Sequence, residues 1–242
     1  HIILASVLLG MFQWTNFWDF VIYFVVTGGV VLFGNITRFG GKWKTILSVT
    51  AAQGAEVFCI AKLVILPFTM KFETMVQGVA FAQNHSRFYQ LMVLWGLPVF
   101  VTLIFLISVL SERLRNKRNR SIYQCMRSMA SADLFGIILG LCAIGLVIIP
   151  ELVYVRDIYE NGNARANTMF KLTYQAYIMF GILMGYAIFR LLTVSRQKIL
   201  KVCAGVGLFF LLWTVGYFGN SVNSWFGNVQ DPSQYMGLNA TA

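Results

Sequence analysis

Charge is scarce in this chain, and negative charge scarcest. Of 242 residues only 9 are Asp or Glu, against 19 Lys or Arg. Charged side chains make up 12% of the sequence, well below the roughly 25% of a soluble domain, while 58% is hydrophobic and 15% aromatic. Histidine is also rare: His85 is the only one besides His1, so a zinc cluster has no material here. The four cysteines, Cys59, Cys125, Cys142 and Cys203, lack metal-like spacing, and most sit in apolar runs. They read as small packing residues rather than ligands or disulfides. There is no GxSxG elbow, Walker loop or dinucleotide fingerprint, which excludes the chemistries those motifs carry. A basic n-region ahead of a cleavage site is missing too. The chain opens at His1 and closes on "GLNATA", and it reads as a fragment of a longer membrane protein.

What is abundant is long apolar sequence. Segments fall at 2–12, 18–36, 45–68, 91–110, 134–149, 169–192 and 199–218. A spanning helix needs about 20 residues, so the first is too short to cross, and Pro150 is expected to end the fifth. The expected fold class is all-α, a polytopic transmembrane helical bundle of about six full spans plus a truncated first helix, forming one transmembrane domain over 1–242.

The net charge of +10 would point a soluble protein toward nucleic acid. Here it sorts by loop instead, and no nucleic-acid partner is expected. Thirteen basic residues gather around 37–44, 111–133 and 193–198, against four (Lys71, Arg87, Arg156, Arg165) in the alternate loops. Positive charge marks the cytoplasmic side. The loops 13–17, 69–90 and 150–168 and the tail 219–242 are therefore expected outside. The run "SERLRNKRNR" suits either a solvated cytoplasmic loop or anionic lipid heads. "GIILG" (Gly136, Gly140) and "GILMG" (Gly181, Gly185) are small-xxx-small patterns, read as intramolecular packing ahead of a dimerisation face.

Polar residues concentrate in the outward loops: Asn16 and Asp19; then Lys71, Glu73, His85 and Arg87; then Glu151, Arg156, Asp157, Arg165, Asn167 and Lys171. The two longer loops mix aromatic and aliphatic residues with charge, as segments lying along the interface would. Asp19 either caps a helix start or serves a site at headgroup depth, beside Trp14 and Trp18. Glu151, at a helix end where the dipole disfavours it, wants a cation, and Arg165 and Lys171 are the candidates. These two cations lie at the outer start of the sixth helix, a place suited to a lipid phosphate. The competing readings are a snorkelling lysine and an arginine paired with Asp157 or Glu160. Gln53 and Glu56 share a face of the third segment with Lys62 nearer its outer end. They either line a proton or substrate path or make a buried bond between helices.

"NARANTMFKLTYQAY" resembles the R-x-N-T-(hydrophobic)-F-K signature, with its tyrosine and glutamine following, of the prokaryotic YYY membrane-protein family. That family is a domain of unknown function grouped with GT-C glycosyltransferases. "TNFWDFVIYF" resembles its N-T-W-D-F-P-T-Y element, with Val21 and Ile22 in place of Pro and Thr. "QNHSRFYQLMVLWG" and "PELVYVRDIY" resemble its outer loop and the segment before the signature. The family carries a G-D-L-H-x-H motif whose last histidine corresponds to His1, with its acidic residue before this chain starts. The resemblance implies a GT-C-like integral membrane glycosyltransferase of a prokaryotic cell membrane, with its active face extracytoplasmic. It would move sugar from a polyprenyl-phosphate-linked donor to an acceptor. On that reading Asp19 and Glu151 are the carboxylates for acid–base work, and Arg165 and Lys171 hold the lipid phosphate. Asn16, Trp18, His85, Asn167 and Gln175 contact donor or acceptor, and membrane lipids surround the chain. GT-C enzymes often use a divalent cation, but the acids here are too sparse to name a ligand set. The alternatives are a transporter or flippase built on Glu56 and Lys62, and a membrane scaffold assembled through its glycine faces.

Overall fold

The computed structural model describes residues 1–72, 78–114, 121–156 and 163–226. Among these residues, eight helices and two short strands follow in order. Helix α1 (Ile2–Thr15) and α2 (Phe17–Phe39) are separated by Asn16 alone, and α3 (Trp43–Thr69) returns beside both. Strand β1 (Gly78–Phe81) precedes α4 (Phe88–Leu114), and the short α5 (Ile122–Arg127) precedes α6 (Ser131–Leu152). Strand β2 (Val153–Arg156), α7 (Ala166–Thr193) and α8 (Lys198–Phe226) complete the order. Six of these, α2, α3, α4, α6, α7 and α8, are long and apolar enough to cross a membrane, while the 14-residue α1 is not. The polytopic all-α bundle expected from hydropathy is what forms. The chain divides into two compact units, 1–187 and 188–242, the second holding the end of α7 and all of α8.

Within the first unit the core lies between α2, α6 and α7. Ile22 and Val26 meet Ile138, Leu139, Ala143 and Leu146, and these meet Leu172, Ala176, Met179 and Phe180. In lipid the tails are as apolar as these side chains, so close van der Waals fit rather than water exclusion holds the helices together. Glycine permits that fit at Gly140, where a Cβ would sit 2.7 Å from Thr102 Cγ2 and 2.8 Å from Leu183 Cδ2. A Cβ on Gly136 would lie 3.1 Å from the Phe105 ring. The second glycine pattern behaves differently from expectation. Gly181 and Gly185 are exposed, a Cβ on either would meet nothing within 4 Å, and so "GILMG" is no packing seam among the described residues. Its glycines fall on the face of α7 opposite Met179, Phe180 and Leu183, which occupy the core side.

Several loop expectations need correcting. The 13–17 loop is reduced to Asn16. Pro150 does not end α6, which runs on through Glu151 to Leu152. A proline loses its own N–H bond and its ring crowds the carbonyl four residues back, both on its N-terminal side, while its fixed φ suits a helix, so the two residues after it can stay helical. The segment 219–226, expected in a tail, continues α8. Residues from the 69–90 and 150–168 loops pair as an antiparallel ribbon, which was not expected, with Gly78 opposite Arg156 and Phe81 opposite Val153. Ala82 N–H extends it by donating to Leu152 O at 2.9 Å. The β-branched and aromatic residues of "VYVR" favour such pairing. Among the residues named from sequence, Glu73, Asp157, Glu160, the 115–120 part of the basic run and the tail beyond 226 lie outside the described residues.

Candidate functional site

At the end of the bundle that carries the ribbon, two polar clusters are built from residues far apart in the chain. The first is centred on Glu151. Arg165 Nη1 lies 2.8 Å from Glu151 Oε2, with both side chains largely buried at 18% and 14% exposure. Ser86 donates its N–H to Oε2 and its hydroxyl to Oε1, each at 2.7 Å. Arg165 also donates to the Pro150 carbonyl at 3.2 Å and to Ser86 Oγ at 3.1 Å. His85 Nδ1 is 2.8 Å from the Glu151 backbone oxygen. A carbonyl only accepts, so Nδ1 carries the hydrogen and Nε2 is left as the open nitrogen. This clamp ties together the approach to α4, the end of α6 and the entry to α7. Thr168 adds a further tie by accepting from Val155 N–H at 2.9 Å, which fixes β2 to α7.

The second cluster is centred on Asp19. Asn16 is the N-cap of α2 and its Oδ1 accepts from Trp18 N–H at 3.4 Å. Its Nδ2 donates to Asp19 Oδ1 at 3.1 Å. Gln175, from the first half of α7, donates to the same Oδ1 at 2.7 Å and accepts from the Tyr23 hydroxyl at 2.8 Å. Asp19 is thus held through one oxygen by two amides, while Oδ2 has no partner among the described residues. Its chain neighbour Trp18 is one wall of a groove of about 420 Å³ between α2 and α6, completed by Val21, Val25, Leu141, Ile149 and Leu172 among others, and almost wholly apolar. A more polar hollow of about 360 Å³ lies over the ribbon, where Asn84, Tyr154, Asn163 and Arg165 line it.

The residue ranges that build both clusters fall within a known family. Residues 1–135 and 121–180 match a family described as an uncharacterized membrane protein (DUF2298). The chain belongs to this family. No curated protein and no solved structure matches it.

In this DUF2298 chain the two cations singled out from sequence have different surroundings. Arg165 lies in the turn before the first residue of α7, whereas Lys171 lies in the second turn of the helix. Arg165 is taken up by Glu151, Ser86 and Pro150. Lys171 is half-buried, its Nζ 5.9 Å from the Phe170 ring, and has no hydrogen bond or ion pair among the described residues. It lies one turn before Gln175 on α7, near the flank that meets Asp19. His85 joins the Glu151 clamp, Trp18 walls the groove, and Asn167 is half-buried at the start of α7.

The structure separates Glu56 from Lys62. Lys62 turns inward, donating to Gln13 Oε1 at 3.2 Å and lying 5.2 Å from the Phe20 ring. Glu56 is exposed, and the interhelical bond considered for it is made by Gln53, which accepts from Asn35 at 2.8 Å. Sequence reasoning missed Ser86, Thr168 and Tyr23. Ser86 sits in a stretch matched to the family's outer loop, but nothing in a lone serine announced a partner 65 residues away. No three His, Cys, Asp or Glu side chains converge among the described residues.

Proposed function

We propose that this chain carries the acceptor-activating carboxylate and part of the donor site of a GT-C-type membrane glycosyltransferase. It would take sugar from a polyprenyl-phosphate donor on the extracytoplasmic face of a prokaryotic cell membrane. The observation that carries the reading is Asp19: a carboxylate fixed through Oδ1 by two amides, with no partner at Oδ2 among the described residues, and next in the chain to Trp18, which walls an apolar groove. A general base must be held in place while keeping one lone pair for the incoming proton. A groove of this volume and apolar lining suits part of an isoprenoid chain, and such a tail would bring its phosphate to the level of Trp18.

In this mechanism the acceptor oxygen attacks the anomeric carbon as Asp19 Oδ2 takes its proton. The bond between that carbon and the phosphate oxygen breaks, and the electron pair leaves with polyprenyl phosphate. Lys171, unpaired among the described residues, offsets the charge that grows on the leaving group, an interaction that strengthens toward the transition state. Gln175 and Asn16 act by positioning Asp19. Glu151 and Arg165 act together as the clamp that sets α6 and the ribbon against α7, so neither is assigned to the reacting atoms.

The test uses native mass spectrometry and turnover of the full-length protein. Lys171→Ala should lose co-purified polyprenyl phosphate that wild type retains. Asp19→Asn should retain the lipid yet lose roughly 10²- to 10⁴-fold in sugar transfer. Retention of the lipid by Lys171→Ala, or undiminished transfer by Asp19→Asn, would refute the assignment.

A further inference from the structure

Glu56 is the residue that the proposed site does not use and the fold does not explain. It is the central residue of α3, about 20 Å from either end at 1.5 Å per residue, in a helix long and apolar enough to cross the bilayer. Lys42 and Lys44 flank one end and Lys71 the other, which centres Glu56 in the hydrocarbon. Its side chain is exposed and has no partner among the described residues. A carboxylate facing lipid at that depth is costly, and intramembrane acids almost always face a bundle interior, a water-filled cavity or a partner.

The helix face next to Glu56 is shaped for a neighbour. Ser48, Ala52, Ala55 and Cys59 recur at spacings of four, three and four residues, and all are exposed. Small side chains on such a stripe let another helix backbone approach closely. On the opposite side of α3, Val57, Ala61 and Ile65 are already buried in the fold, so this stripe is its free side.

We propose that this face of α3 docks a transmembrane helix of a second membrane protein, one that carries a basic side chain at mid-bilayer depth opposite Glu56. Charge decides the occupant. A second copy of this chain would meet Glu56 with Glu56, because the nearest basic residue on α3, Lys62, lies about 9 Å along the helix and is bonded to Gln13. Close approach along the small-residue stripe excludes lipid from the acid, and the basic partner neutralises it. The inference does not depend on the catalytic reading.

The test is photo-crosslinking of the full-length protein in its native membranes. A benzophenone amino acid replaces the large, exposed Leu63, two turns from Glu56 on the same face and beside the small-residue stripe, and the exposed Leu103 of α4 as control. The expected adduct at position 63 maps to a peptide of another protein whose apolar span contains Lys, Arg or His. Its yield falls at least about tenfold in Glu56→Lys, which sets like charges together, and returns when the partner's basic residue is changed to Glu. If Glu56→Lys does not accumulate, the near-isosteric Glu56→Gln replaces it, with a smaller fall expected. The proposal is overturned by lipid adducts alone at both positions, by an adduct to a second copy or to another segment of the same polypeptide, or by an adduct whose yield ignores residue 56.

Discussion

Arg165→Met would separate a structural arginine from a ligand-binding one. The wild-type guanidinium makes an ion pair at 2.8 Å with Glu151 and hydrogen bonds to the Pro150 carbonyl and Ser86 Oγ. Both charged side chains are more than four-fifths buried. Removing one member of a buried pair costs roughly 3–5 kcal/mol, because the other charge is left uncompensated. Glu151 would keep its two bonds from Ser86, which places the loss at the low end, about 3 kcal/mol. Glu151→Gln leaves Arg165 its carbonyl and hydroxyl partners and should cost about 2 kcal/mol. In the double variant neither charge is stranded, so the two losses should fall short of additive by roughly 1.5–3 kcal/mol. Equilibrium unfolding of the full-length protein in mixed micelles measures all four corners of the cycle. Additivity to within about 0.5 kcal/mol would show that the pair is not coupled and would refute the clamp. Unchanged unfolding by Arg165→Met, with loss of bound phospholipid or polyprenyl phosphate, would return Arg165 to the phosphate.

Other consequences are sharper at single positions. Gly140→Leu should destabilise by about 1–3 kcal/mol or prevent folding, since its Cβ alone would reach within 2.8 Å of two side chains; Gly181→Leu, with open space around it, should unfold as wild type does. Gln175→Leu removes the 2.7 Å donor from Asp19 and should lower turnover about 10²-fold with little change in KM, because a misplaced base weakens chemistry more than binding; equal loss in both would argue that Gln175 contacts substrate. Burial pushes the Cys125 thiol above its ordinary range, with Arg113 pulling the other way. Little thiolate then exists at pH 8 in a side chain only 6% exposed. Maleimide should label Cys125 only on unfolding, and prompt labelling of folded protein would contradict its position.

The spanning helices were legible because lipid imposes one rule on them, about 20 apolar residues with satisfied backbone, and hydropathy records it directly. The ribbon was not legible. "GVAF" and "VYVR" are four residues each, and their pairing is decided by a partner more than 70 positions away. Sequence also left open which partners its acids and bases would find. Glu151 needed a cation, but the choice of Arg165 over Lys171 depends on where α7 begins and how it is rotated. Pro150 misled because a proline tells where a helix loses one bond, which need not be where it stops. The tie between Asp19 and Gln175 spans 156 residues, and only the packing of α2 against α7 creates it.

Asn16 gives the molecule a mechanical property. It is the only residue between α1 and α2, its backbone extended at φ −156° while those on both sides are helical. The same residue's amide holds Asp19. Joint and holder are therefore one residue: the backbone that turns the chain from α1 into α2 carries the amide that meets Asp19 Oδ1, and Gln175 secures the same oxygen from α7. Helix α1 is itself packed on α3, with Leu9 buried against Val57 and Ala61 and Gln13 accepting from Lys62, so the joint is loaded from α3 as well as from α2.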